Sequence, residues 1–195
     1  MNERHKIFRD KALGLILERG FRGMTMRDLA TALDCDVANL YNYIPSKHAF
    51  LSGQLFEISA RFHKGISEIT ASGLTVTDQI RQLIRLNIDL AVTYPLQIAL
   101  LVNEWRNLHE ADLQRFIKER THYEEEVKKM VMVGIRNAEI RKMEPDTATH
   151  LLLASLRWLF VHTRENPAIN RMRLEAEITA FVMHGFINVD SKASS

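Results

Sequence analysis

Residues 21–50 read Phe21-Arg22-Gly23-Met24-Thr25-Met26-Arg27-Asp28-Leu29-Ala30-Thr31-Ala32-Leu33-Asp34-Cys35-Asp36-Val37-Ala38-Asn39-Leu40-Tyr41-Asn42-Tyr43-Ile44-Pro45-Ser46-Lys47-His48-Ala49-Phe50. Local chemistry divides this stretch into two short helices and the start of a third. Thr25 can cap a helix, and Asp28 three residues later completes a capping-box pattern. Leu29, Ala30 and Leu33 then fall on one face at helical spacing. Asp34-Cys35-Asp36 interrupts the pattern. Asp36 stands at the cap of a second helix, expected over 36–43, with Val37, Leu40 and Ile44 turned inward. Pro45 ends it, and Ser46 caps a third helix that begins at Lys47. Two helices of roughly eight residues joined by a turn of about three have the form of a helix-turn-helix, which lays its second helix in a DNA major groove.

Outward from this stretch the chain reads as helix throughout. Residues 3–19 form a first helix, with Ile7, Phe8, Ala12, Leu15 and Ile16 inward. Gly20 sits where a left-handed residue closes a helix, and Phe21 can pack back on Ile16. The helix from Lys47 is expected to run to about Ile69, until Ala71-Ser72-Gly73 breaks it. A further helix over about 77–90 carries Ile80, Leu83, Ile84, Asn87 and Ile88 on one side. Tyr94-Pro95 interrupts, and Pro95 suits the first turn of the next helix, ending near Asn107. Helices over about 111–137, from Pro145 through His162 to Asn166-Pro167, and over 174–186 complete the chain. Glu124-Glu125-Glu126 and Lys128-Lys129 pair across helical turns on a solvated face. The fold class is therefore all-α, in which a three-helix head is joined by a long fourth helix to a helical body. The head is expected over 1–50, the body over 51–190 and a frayed tail over 191–195.

With 195 residues, 46% of them hydrophobic, the chain can bury a sizeable core. No apolar run reaches the ~18 residues of a membrane span. The polar start, Met1-Asn2-Glu3-Arg4-His5-Lys6, leads into an amphipathic helix rather than a signal peptide. A lone Cys35 excludes an intramolecular disulfide and fits a reducing cytoplasm, and Cys35 itself reads as a small core residue. The net charge of +2 resides in residues 1–50, which hold eight Lys/Arg and six Asp/Glu. Enzymatic chemistry has no visible basis, since there is no Gly-rich phosphate loop and no Gly-x-Ser-x-Gly. The eight histidines have no tight ligand spacing, so neither a metal nor a cofactor is expected.

The motifs resemble the TetR family of bacterial repressors. The residues that carry the likeness are Gly20-Phe21, Thr25-Met26, Leu29-Ala30 and Leu40-Tyr41-Asn42-Tyr43-Ile44-Pro45-Ser46-Lys47. Asp34 stands where the family usually has Gly, and Asp tolerates a left-handed backbone. Asp36 stands where Ser is common and turns its charge toward phosphates. The resemblance implies a dimer on a duplex DNA operator. Val37, Ala38, Asn39 and Asn42 would meet base edges, with Asn39 or Asn42 facing adenine. Thr25, Arg27, Tyr41, Tyr43 and Lys47 would meet phosphates.

The body has a likeness of its own. Asn103-Glu104-Trp105-Arg106, Tyr123-Glu124-Glu125-Glu126-Val127 and Leu156-Arg157-Trp158-Leu159 are similar to the branch of the family that governs fatty-acid and sterol breakdown and senses acyl-CoA thioesters. Asn87, Asn103, Arg106, Tyr123 and His162, polar residues in apolar helices, together with Trp158, are the expected effector contacts. The last two helices are rich in large apolar residues. These either fill the monomer core or face a second copy, and the family's four-helix-bundle dimer implies the latter for Leu152, Leu156, Leu159, Phe160, Ile178, Phe181 and Val182. A ligand-released repressor is the resulting expectation. The rival is a helical small-molecule carrier or enzyme that retains a degenerate helix-turn-helix.

Overall fold

A computed structural model describes residues 3–166 and 168–187, with side chains from residue 6 onward. The tail expected over 191–195 and the helix stop at Pro167 lie outside these residues. The elements, in order, are α1 (Glu3–Arg19), α2 (Met26–Ala32), α3 (Val37–Tyr41), α4 (Lys47–Thr70), α5 (Val76–Thr93), α6 (Pro95–Asn103), a 3-10 turn (Trp105–Asn107), α7 (Glu110–Arg136), α8 (Pro145–Arg157), α9 (Leu159–Glu165) and α10 (Arg171–Phe186). The fold is all-α, and its one β-type pairing among the described residues is the isolated bridge Ile140–Ile187. No single described helix is long and apolar enough to cross a membrane.

The chain divides into two compact units, residues 1–59 with 94–118, and residues 60–93 with 119–195. The head expected over 1–50 thus shares its unit with α6 and the start of α7. In the first unit Leu13, Ile16, Met24, Leu29, Leu40, Leu51 and Leu55 are buried with Leu100, Leu108 and Phe116. Each such side chain contributes about 1.5–3 kcal/mol by leaving water. In the second, Ile80, Leu83, Ile84 and Ile88 of α5 meet Val127 and Val131 of α7, Leu152, Leu156 and Leu159 of α8–α9, and Ile178, Val182 and Phe186 of α10.

Local chemistry sets most of the boundaries. Gly20 takes φ 75°, the left-handed stop of α1. Ser46 Oγ accepts the Ala49 N–H at 3.0 Å and opens α4. Pro95 occupies the first turn of α6. The single helix expected from Pro145 through His162 is instead two, broken at Trp158. Ser155 donates its hydroxyl to Leu152 O at 2.7 Å, a back-bond of the kind that bends helices. The α7 charge run behaves in part as expected. Lys129 pairs with Glu126 at 2.7 Å, but Lys128 reaches across to Asp146 of α8. At Gly65 a Cβ would stand 2.4 Å from Leu86 Cδ2, so any side chain there requires the Leu86 side chain to move aside.

Candidate nucleic-acid interface and effector site

The N-terminus of α2 is held by a complete capping box. Thr25 Oγ1 accepts the Asp28 N–H at 3.2 Å, while Asp28 Oδ2 accepts the Thr25 N–H at 2.8 Å and the Thr25 hydroxyl at 2.6 Å. These bonds, with Arg19 at 3.2 Å from Asp28 Oδ1, hold the Asp28 carboxyl below its usual range. Arg27, one residue earlier, is exposed. At the other end of α2 the Cys35 N–H bonds Ala30 O at 3.0 Å and the Asp34 N–H bonds Thr31 O at 3.2 Å, with Asp34 at φ 51°. This is a Schellman stop with Asp in the position usually given to Gly.

The second helix is shorter than the expected 36–43. The N–H groups of Tyr43 and Ile44 both turn to Leu40 O, at 2.9 and 2.8 Å, and close α3 after Tyr41. Asp36 occupies the cap position, but its side chain makes no capping bond and the residue stays exposed. Leu40 and Ile44 are buried. Ala38, Asn39, Tyr41, Asn42 and Tyr43 are exposed, and Val37 is half-buried. The result is a short helix seated by one leucine, with polar and aromatic side chains turned toward solvent.

Lys47, expected at a phosphate, is engaged within the chain itself. Its Nζ donates to Phe21 O and to Met24 O, both at 3.0 Å, and lies 4.6 Å from the Phe21 ring centroid. The ammonium ties the α1–α2 loop to the start of α4, which is a structural task. The sequence pattern could not reveal this, because the two acceptors are main-chain atoms 26 and 23 residues away.

The expected effector residues separate into three places. In the second unit Asn87 is buried, gives its amide to Leu83 O at 2.8 Å and acts on the Tyr123 hydroxyl. That hydroxyl is buried, with no partner at hydrogen-bonding geometry, and burial pushes its pKa up to about 12. Phe62 and His63 stand edge-on to the Tyr123 ring at 5.7 and 6.0 Å, and Phe160 stands 6.2 Å from Phe62. Phe62 and His63 were not among the expected contacts. Their α4 positions differ from their neighbours' only in what packs against them. Trp158 and His162 pair with each other at 4.9 Å, Trp158 being exposed. Asn103 and Arg106 belong to the first unit, where both are exposed. Arg106 lies 4.3 Å over the Trp105 ring.

The expected interface residues need a similar correction. Leu152, Leu156, Leu159, Ile178 and Val182 are buried inside the second unit, so a partner would find them already covered. Phe160 packs against the same core. Phe181 alone of the seven stands out, 73% exposed, and Leu151, Trp158 and Val161 are open on α8 and α9. Among the described residues no three His, Cys, Asp or Glu side chains gather as a metal site.

The fold and its short presented helix define a helix-turn-helix DNA-binding protein. The model of the tetR family of bacterial regulatory proteins matches residues 8–52, and that of the tetracyclin repressor-like C-terminal domain matches residues 73–186. The chain belongs to the TetR family and is a transcriptional regulator with a ligand-binding domain. No curated protein matches it. Among solved structures, the ketosteroid transcriptional regulator KstR2 of Mycobacterium tuberculosis superposes with a TM-score of 0.88 at 16% identity, covering 96% of this chain and 97% of that one. AibR, in complex with isovaleryl coenzyme A and operator DNA, superposes at 0.77 with 18% identity, over 92% and 98%. The TetR family transcriptional regulator PfmR from Thermus thermophilus superposes at 0.79 with 16% identity, over 91% and 97%. At these identities the likeness is one of fold.

Lys47→Met keeps the stem over Phe21 and removes both carbonyl bonds. We expect it to destabilise the free protein by about 1–3 kcal/mol, read as a lower midpoint in thermal unfolding without DNA. An unchanged midpoint would show that the two bonds carry no net weight.

Proposed function

We propose that the protein is a homodimeric repressor of a two-half-site operator, released by an apolar carboxylic acid derivative of the acyl-CoA class. The observation that carries the DNA reading is α3, where buried Leu40 seats the helix while Ala38, Asn39 and Asn42 face solvent. Either Asn39 or Asn42 reads adenine through the donor and acceptor of its amide. Arg27, Tyr41, Tyr43 and the Thr25 end of α2 meet phosphates, and Asp36 adds a local repulsion. Asn39→Ala should cost about 1–3 kcal/mol on the operator and leave random duplex and the salt slope unchanged. A parallel loss on both duplexes in a salt titration would assign Asn39 to the backbone instead.

The open apolar side chains of α8–α10 support dimerisation. Phe181→Glu changes a residue outside the monomer core, so it should leave unfolding unchanged and shift sedimentation at micromolar concentration from dimer to monomer. A wild-type monomer under those conditions overturns the assignment.

Support for the effector class comes from Tyr123, an unpartnered hydroxyl among Phe62, Phe160 and His63. A ligand carbonyl would accept from it while the acyl chain contributes about 0.8 kcal/mol per buried CH₂. AibR, of the same fold, is seen with isovaleryl coenzyme A, which favours a thioester. The ligand must favour the arrangement whose heads no longer match successive major grooves, about 34 Å apart. Tyr123→Phe removes an unsatisfied group, so the free protein should hold or gain stability. Its effector affinity, measured by operator release with acyl-CoAs of varied length, should fall about tenfold. Equal response of wild type and variant removes Tyr123 from the site.

A further inference from the structure

The first unit carries a cleft whose lining includes Arg106, expected from the sequence as an effector contact, and Lys47. It has a volume of about 360 Å³ and is lined by Phe21, Arg22, Lys47, His48, Arg106, Asn107, Leu108 and His109. Three of these are permanent cations, two are imidazoles and none is an acid. The carboxylates on the adjoining segments are engaged elsewhere. Glu104 accepts from Asn107 Nδ2 at 2.7 Å, Glu110 from Gln114 at 2.9 Å and Asp112 from Ser52 at 2.7 Å. Lys47 is taken up by two carbonyls, but the other cations are not buried against acids. Arg22 donates to the neutral Asn107 Oδ1 at 3.0 Å, and Arg106 lies flat on Trp105. The imidazoles of His48 and His109 stack with centroids 3.9 Å apart and planes at 26°, and the Phe21 ring meets His48 edge-on at 4.9 Å. Such a wall of like charge is repulsive until something negative enters it.

We infer that this cleft binds a phosphate group carried by a small ligand, through Arg22, Arg106 and the His48–His109 pair. Guanidinium forks offer the paired donors that tetrahedral oxyanions accept, and a cleft of this size admits more than the anion alone. The histidines make the site sensitive to protons. His48 is held below its ordinary value, first by desolvation and then by the charges of His109 and Lys47. Every charged group facing it from α4, the α1–α2 loop and the segment before α7 is basic, namely Lys47, Arg22, Arg106 and His109. That surrounding charge disfavours a proton on His48 while the cleft is empty. An entering dianion reverses that balance, raises both imidazoles and draws protons in. Affinity must then rise as pH falls.

The test is isothermal titration of the full chain, without DNA, at about pH 6 and pH 8 with chloride held constant. Sulfate is the first probe, because its charge does not change in that range and any pH dependence belongs to the protein. Its affinity should be about tenfold higher at the lower pH, with proton uptake seen as a buffer-dependent enthalpy. Arg106→Gln should weaken binding at both pH values, and His109→Gln should flatten the difference between them. Should His109→Gln fail to fold, the wild-type imidazole resonances must still titrate at higher pH when sulfate is present. Pyrophosphate and adenosine diphosphate separate the sources. Tighter binding of the nucleotide places the phosphate on an organic ligand, and equal binding makes the free anion sufficient. Sulfate binding that is absent, independent of pH or unmoved by Arg106→Gln overturns the proposal. So does a loss of duplex affinity in Arg106→Gln with sulfate binding intact, which would make Arg106 a DNA-backbone contact.

Discussion

Five residues do not hold a helix on their own in water, because the first turn orders several dihedrals for a single hydrogen bond. α3, Val37–Tyr41, nevertheless presents most of the side chains proposed above to read DNA. Its hold comes from outside the helix. The left-handed Asp34 turns the chain at the correct angle, and Leu40 is drawn wholly into the core of the first unit. Remove either constraint and Ala38, Asn39 and Asn42 have no fixed direction. The departure from Gly at position 34 is tolerable because both Schellman bonds, from Cys35 and Asp34, are made.

The surrounding polar bonds serve that same turn. Thr25 and Asp28 fix where α2 begins, and Lys47 fixes where the loop before it runs relative to α4. Both devices satisfy main-chain groups that would otherwise be left without partners at helix ends and in a tight loop. Lys47 shows why the residue type alone misleads. A lysine beside the helix-turn-helix invites a phosphate role, yet in the free chain its ammonium is held by two carbonyls and an aromatic face.

The body follows a different rule. Its helices bury apolar stripes against each other, and polar side chains within them must find partners nearby. Asn87 does so through Leu83 O, Thr163 through Leu159 O and Ala91 O, but the Tyr123 hydroxyl does not. A buried donor without an acceptor costs free energy, and folded chains rarely leave one in place. That unmet donor is what motivates the effector reading proposed for the second unit.

The amino-acid sequence by itself determined several features governed by neighbours within one helical turn. The stop at Gly20, the Thr25–Asp28 box, the Ser46 cap and the Pro95 entry all reside in contacts of four residues or fewer, so residue type and spacing were enough. The helix-turn-helix and the all-α class were legible for that reason. Tertiary structure alone decided what covers each apolar face. Periodicity marks Leu152, Leu156, Leu159, Ile178 and Val182 as inward, but only packing shows that the chain itself covers them and leaves Phe181 open. It likewise decided that His48 meets His109 and that Lys128 meets Asp146. The physical reason is common to all of these. Burial and long-range pairing are properties of surfaces brought together by the whole fold, and no local pattern records which surface will arrive.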